Sequence, residues 1–441
     1  MKKTLYALLF CATLSGAFAQ NWKPMAAGLL PNNFVVFSVS AVDDRVAWAT
    51  ASQEYFQGPI PNSHRIRVLR TSDGGQTWVV KEVEEAAGTI SFQIVGVDSL
   101  TAWITTQDYG GGAGRALFQT TDGGDVWTKK LANLSAGVSL NRFPDGQHWL
   151  ATNRQTTSRS ADDGENWTNS TFSGYFTNEY QGLYAGSNMA STVGDTLWHG
   201  TSQGGRIVRF TNFGQSVSML IGLGSSASVT SVAFHDHLNG LAFYTQSNQY
   251  KIARTTDGGG TWAALPLAQQ PGSLVWNIAA VPGAPGHYVL ASASATTNGR
   301  VAMTNDFGNS WSLEILGSSL NGVSFSSPKT GWVGAGKITS AAQPAMFKYV
   351  GSPLVAAQSP AASLPGFKVA PNPVADFVRF DFDGFVPGEA VFATVSDVTG
   401  RVIFASEVAG NQLDMGKLPA GAYFLKIETG DRTGVAKFMK N

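Results

Sequence analysis

Five aspartates recur in one eight-residue frame. Asp73 stands in TSDGGQTW (71–78), Asp122 in TTDGGDVW (120–127), Asp162 in SADDGENW (160–167), Asp257 in TTDGGGTW (255–262) and Asp306 in TNDFGNSW (304–311). A carboxylate repeated beside glycine and hydroxyl residues can serve as a catalytic acid, a metal ligand or a turn acceptor. A calcium cage wants about six to eight oxygens, and each box offers one or two carboxylates. A turn fits better. Gly74, Gly123 and Gly258 can take positive φ without a Cβ clash. The Asp side chain can accept backbone N–H bonds across the turn, and the Ser or Thr two residues earlier adds a hydroxyl. The tryptophan then opens a strand and offers an apolar plate for packing between repeats.

The elements that position these boxes follow from their spacing. The boxes begin at 71, 120, 160, 255 and 304, so the one wide interval spans about two periods. A decayed sixth copy fills it: FTNFGQSV, with Asn212 in place of the aspartate, Gly214 kept and Val217 in place of the tryptophan. A short alternating hairpin precedes each box, as in VSAVDDRVAWAT and IVGVDSLTAWIT, and seven such hairpins can be counted. Units of about 40 to 50 residues with several short strands predict an all-β, seven-bladed β-propeller. The seventh unit lacks a last strand, and QNWKPM at 20–25 matches QTWVVK after the first box, with Trp22 where Trp78 falls. Residues 20–26 are therefore expected to complete the seventh blade and close the ring.

The five boxes resemble the Asp-box, or BNR, repeat of sialidase-type propellers, (S/T)-x-D-x-G-x-x-W, over residues 20–350. That resemblance implies that Asp73, Asp122, Asp162, Asp257 and Asp306 are structural and lie on the rim, on the face opposite the ligand site. Sialidase chemistry would require an arginine triad, an aspartate acid and a tyrosine–glutamate pair. The usual Arg-Ile-Pro signature is absent, and HRIRVLR (64–70) is the nearest string. Glycoside hydrolysis in general needs two facing carboxylates. Glu54 and Asp108 are the candidates if the chain is a glycosidase of sialidase-like type. Asp43, Asp98, Asp195 and Asp236 fall in the first hairpins and read as turn residues. His235 and His237 flank Asp236 in another such turn, which is read as structural, so neither a metal nor a cofactor is expected.

Loops alternate between the two faces of a propeller, so the loops after the second strands should line a funnel opposite the boxes. They are rich in amides, hydroxyls and tyrosine, with Tyr55, Tyr109 and Tyr250 among them, and a basic residue often closes them: Arg65, Arg115, Arg154, Arg206, Lys251 and Arg300. Such a set can attract an acidic glycan or protein surface, or can solubilise strand ends. SPKTGWVGAG (327–336) resembles the noncatalytic photosystem II assembly-factor propellers, which favours a binding platform over a hydrolase. The loop 171–189 carries five aromatic residues that suit either sugar stacking or a local core.

The chain ends speak to destination. Lys2, Lys3, the apolar run from Leu5 to Leu14 and Ala17-Phe18-Ala19 predict a signal peptide over residues 1–19. The single cysteine, Cys11, lies within it, so no disulfide is expected. No stretch is long enough for a membrane helix. Setting aside Lys2 and Lys3 leaves 28 basic against 30 acidic residues, which suggests no nucleic-acid partner. Residues 351–366 read as a Pro/Ala/Ser linker. Residues 367–441 predict a small Ig-like β-sandwich. Pro371-Asn372-Pro373, Asp397 to Gly400 with Arg401, Leu418, Gly421, Tyr423 and Lys437 make that unit resemble the type A C-terminal sorting domain of type IX secretion. The resemblance implies the secretion machinery as a partner, export through the periplasm, and release or attachment at the outer-membrane surface.

Overall fold

The computed structural model describes residues 21–441 apart from 54–59, 62, 108–114, 133, 135–138, 153–155, 172–188, 266–275, 293–298, 341, 355–361, 387–389, 399–401 and 430–431. Seven antiparallel four-stranded sheets follow one another along the chain. Blade 1 comprises Phe34–Ala41, Ala47–Gln53, Ile66–Thr71 and Val79–Val83, and the next five blades repeat that order. The innermost strand of each blade packs against its neighbours all round the ring, and the last touches the first. The fold is an all-β propeller.

Blade 7 is assembled from both ends of the ring. Leu320–Ser327, Thr330–Ala335 and Pro344–Tyr349 supply three strands, and Trp22–Ala27 supplies the outer one. Trp22 lies opposite Tyr349 and Met25 opposite Met346. The indole of Trp22 is fully buried, edge-on to Tyr349 at 5.4 Å and to Phe325 at 6.0 Å.

Inner strands have a free edge facing the axis, and side chains of the neighbouring blade satisfy part of it. Ser38 Oγ accepts the Ile94 N–H (3.0 Å) and Ser40 Oγ accepts that of Gly96 (3.0 Å). Gln93 spans to Leu140 with both ends of its amide, at 2.8 and 2.7 Å. Ser191 and Ser231 accept the amides of Phe234 and Ile278, Asn277 bonds Asn321, and Ser324 accepts the Ala41 amide at the seam. These bonds join the blades into a polar girdle, because an edge N–H left unpaired in the interior is costly.

The C-terminal unit is a sandwich. A five-stranded sheet runs in the order Ala362–Ser363, Arg432–Lys440, Gly421–Thr429, Ala390–Asp397, Val402–Ala409, against a three-stranded sheet of Lys368–Ala370, Phe377–Asp381 and Gln412–Asp414. Val378, Phe380, Val391, Ala393, Val395, Leu425, Ile427 and Phe438 fill the space between them. Residues 362–364 lie within the segment read as linker, yet they already belong to this unit. Ala362 and Ser363 pair with Arg432 and Thr433, and Leu364 is buried in the core. At the other end Leu354 packs on the propeller core. A Pro/Ala/Ser composition hides these two leucine anchors.

Candidate functional site

Each box is a closed hydrogen-bonded unit. Thr71 Oγ1 donates to Asp73 Oδ1 (2.9 Å) and accepts the Gly75 N–H (2.8 Å), while Asp73 Oδ1 accepts the Thr77 N–H (2.9 Å). The other four boxes repeat the pattern. The hydroxyl-to-carboxylate bonds of Asp122, Asp162, Asp257 and Asp306 span 2.7 to 2.8 Å. Their carboxylates accept the amides of Val126, Asn166, Thr261 and Ser310 at 2.9 to 3.1 Å. Bonds from Thr77 hold Asp73 at a pKa of about 2, and bonds from Asn166 do the same for Asp162. The Val126 N–H lowers Asp122. Burial pulls Asp257 and Asp306 upward, but the hydrogen bonds from Thr261 and Ser310 outweigh it and both end lowered. A carboxylate so occupied and so acidic is a poor proton carrier near neutral pH. Among the described residues no group of three or more His, Cys, Asp and Glu is placed to hold a metal ion.

The boxes lie on the same face as the first hairpins, because in a four-stranded meander the first and third connections share an end. The Gly74 N–H donates to the Arg45 carbonyl (2.8 Å), and Gly123 repeats this on Leu100. Asp43, Asp98 and Asp236 each accept the two amides that follow in their hairpins, as does Asp145, which the sequence reading passed over. Asp195 behaves differently. It accepts the Asn212 amide (3.1 Å) and so reaches into the decayed sixth box, where the box aspartate is missing.

The large plates between blades are chiefly the second-strand tryptophans. Trp48, Trp103, Trp149, Trp198 and Trp332 are almost fully buried, whereas of the box residues Trp127 is buried and Trp78, Trp167, Trp262 and Trp311 are half-buried. In three of the repeats the glycine at the fifth box position lies over the second-strand residue of the preceding blade. A Cβ at Gly75 would come within 2.5 Å of Trp332, at Gly164 within 2.5 Å of Trp103, and at Gly214 within 2.7 Å of Leu150. The box tryptophan then closes on the same plate, as Trp78 does on Trp332 at 5.4 Å.

The candidate ligand residues that are described lie in or next to the connections of the opposite face. Glu54, Tyr55, Asp108, Tyr109 and Arg154 lie outside the described residues, as does most of the aromatic loop 171–189. Arg115 is half-buried just before the third strand of blade 2. Arg206 and Arg300 are the first residues of the third strands of blades 4 and 6, and Arg206 is buried. Tyr250 stacks on Phe243 at 5.6 Å. Arg65 is tied locally to Glu84 at 2.7 Å and Lys251 to Gln246 at 2.7 Å. A cavity of about 500 Å³ occupies the axis, towards the box face. Its wall includes Ser40, Asn141, Thr192, Gly194, His235 and Pro282, with no Asp or Glu among the described residues.

Residues 368–441 match the family described as the secretion system C-terminal sorting domain. The chain thus carries the tail that directs type IX secretion to the cell surface or the extracellular space. Among the described residues no helix is long and apolar enough to cross a membrane. No curated protein matches the chain. Among solved structures it is similar to YCF48 bound to D1 peptide, at 17% identity and a TM-score of 0.51, covering 76% of this chain and 98% of that one. It is also similar to YCF48 from Cyanidioschyzon merolae (16%, TM-score 0.50, 75% and 98% covered) and to U3-55K (11%, TM-score 0.50, 74% and 98%). At these identities the likeness is one of fold.

Proposed function

We propose that the propeller is an exported binding platform that takes a polar or acidic glycan or protein segment over the face opposite the boxes. The observation that carries this reading is an asymmetry of loop length. On the box face the third and fourth strands are joined by residues 72–78, 121–127, 161–167, 256–262 and 305–311, seven each time. On the other face the connections run from two residues (247–248) to eighteen (172–189). The first hairpins of the box face span two to seven residues, so that face carries only short turns, whereas the other varies up to eighteen, as recognition surfaces on rigid scaffolds do. The box carboxylates are consumed by their own turns, which leaves them no part in hydrolysis. YCF48, a propeller of similar fold, has been solved bound to D1 peptide, in keeping with a binding role.

Retention of the full chain on a panel of sialylated glycans, sulfated glycans and acidic peptides tests the reading, with released sugar recorded in parallel. Retention that weakens with salt and with Arg115→Gln or Arg300→Gln is expected. Sugar release abolished by Glu54→Gln or Asp108→Asn would replace the platform with a glycosidase. Retention unchanged after loops 54–59 and 108–114 are each cut to an Asn-Gly turn would move the ligand off this face.

A further inference from the structure

The five-stranded sheet of the sorting domain has one face in the sandwich and one face out. Val391, Ala393 and Val395 point into the core. Phe392 alternates with them and must point outward, between Glu407 and Glu428 on the flanking strands. An outward phenylalanine in such company should be wet. It is 5% exposed.

The cover comes from the propeller. The Phe392 ring stacks on His237 with centroids 3.4 Å apart and planes 19° from parallel. His237 sits in the first hairpin of blade 5, between Phe234 and Gly240, where blades 1 and 2 place Asp44 and Ser99 after their turn aspartates. Behind it lie Trp198, at 6.0 Å, and Phe234, which stacks on Trp198 at 4.0 Å. A second strand of the same outer face meets blade 4: a Cβ built on Gly194 would stand 3.5 Å from that of Ala405. Lys426, held by Glu428 at 2.7 Å on a third strand, bears electrostatically on both His235 and His237. Gly194 and His235 also belong to the wall of the axial cavity.

We propose that the sorting domain docks on the box face of its own propeller, with Phe392 seated on His237, and covers the rim of the axial cavity between blades 4 and 5. The partner of this aromatic notch is thus the outer sheet face of residues 367–441. The contact lies on the opposite face from the variable loops, so ligand capture and tail docking do not compete. The rim of blades 4 and 5 becomes available to another molecule only once the tail leaves it. Small residues at 194 and 405 allow the two backbones to approach, and the aromatic stack supplies apolar area that neither unit can bury alone.

The ionisation of His237 reports the contact. Burial first, then the charges of Arg209 and Lys426, hold it at about 3 against an ordinary value of 6.5. Ring proton resonances of the six histidines in the full chain, with His237 assigned through His237→Gln, give its midpoint. Small-angle scattering gives the radius of gyration of the same samples. Phe392→Ala combined with Lys426→Ala is expected to move the His237 midpoint towards 6.5 and to enlarge the radius of gyration. Should that pair not fold, Ala405→Glu, which drives a charge against Gly194, reads the same contact. A wild-type His237 that titrates as a free imidazole, or variants that leave both its midpoint and the radius unchanged, overturn the proposal.

Discussion

The ammonium of Lys348, on the third strand of the last blade, donates a 2.7 Å hydrogen bond to the carbonyl of Gly74 in the first box. It also lies 5.0 Å from the ring centre of Trp332. This contact crosses the seam where the chain's two ends meet. Arg70 makes the equivalent reach from blade 1 to blade 2, donating to the Ser99 carbonyl while it covers Trp48. Replacement by methionine keeps the stem and removes the charged donor. Lys348→Met should lower stability by about 1–2 kcal/mol, the worth of a charge-assisted bond and a partly exposed cation–π contact. Urea midpoints of the full chain check this, and an unchanged midpoint would show the seam to be held by packing alone.

Gly75 should be the least replaceable glycine of its box. Its φ of +89° lies in the region that side chains avoid, and its missing Cβ leaves room for the Trp332 ring. Gly75→Ala combines backbone strain with overpacking and should cost about 2–4 kcal/mol. Gly317 has a similar φ of +70° with nothing within 4 Å of its Cβ position. Gly317→Ala should therefore cost only the strain, about 1 kcal/mol. Equal losses at the two positions would refute inter-blade contact as the cause.

The box aspartates set an acid limit. Asp73 and Asp162 fall to about 2 in the folded chain from an unperturbed 3.8. A depressed carboxylate contributes stability above its unfolded value and loses it as pH falls through the folded one. Burial holds His199 at about 4 and His237 at about 3, so thermal midpoints should begin to fall below about pH 6.5, and the box aspartates should add a further fall between about pH 4 and 2. Asp73→Asn should have a lower midpoint at neutral pH and a shallower acid decline. A variant as acid-sensitive as the wild type would exonerate this box.

Most of this architecture was legible because the box is local. Its hydroxyl, aspartate and glycine bond one another within a few residues, so spacing alone exposes the turn, and counting the turns yields the blades. The girdle of Ser38, Gln93, Ser191 and Ser231 was not legible, since each pairs with a strand about 40 to 60 residues away and serine is common. The reach of Lys348 and Arg70 to neighbouring blades escaped for the same reason. So did the outward Phe392, whose partner His237 is 155 positions earlier. Basic residues at the third-strand starts were visible as types. Their local ties, such as Arg65 to Glu84, were not.

Ring closure makes a last claim on the first described residues. Trp22 is fully buried between Phe325 and Tyr349, and the Asn21 amide donates to Glu314 on blade 6 at 3.1 Å. Three strands of blade 7 thus depend on a strand about 300 residues away in sequence. Removing a buried tryptophan of this kind costs about 3–5 kcal/mol. Because the outer strand closes the ring, the loss should also broaden the unfolding transition, with blade 7 opening ahead of the rest. Hydrogen exchange of Trp22→Ala should show early loss of protection over 344–349, while the blade 3 amides at 149–152 stay protected. Uniform loss of protection would mean that the propeller unfolds as one unit and that the Trp22 strand is no separate latch.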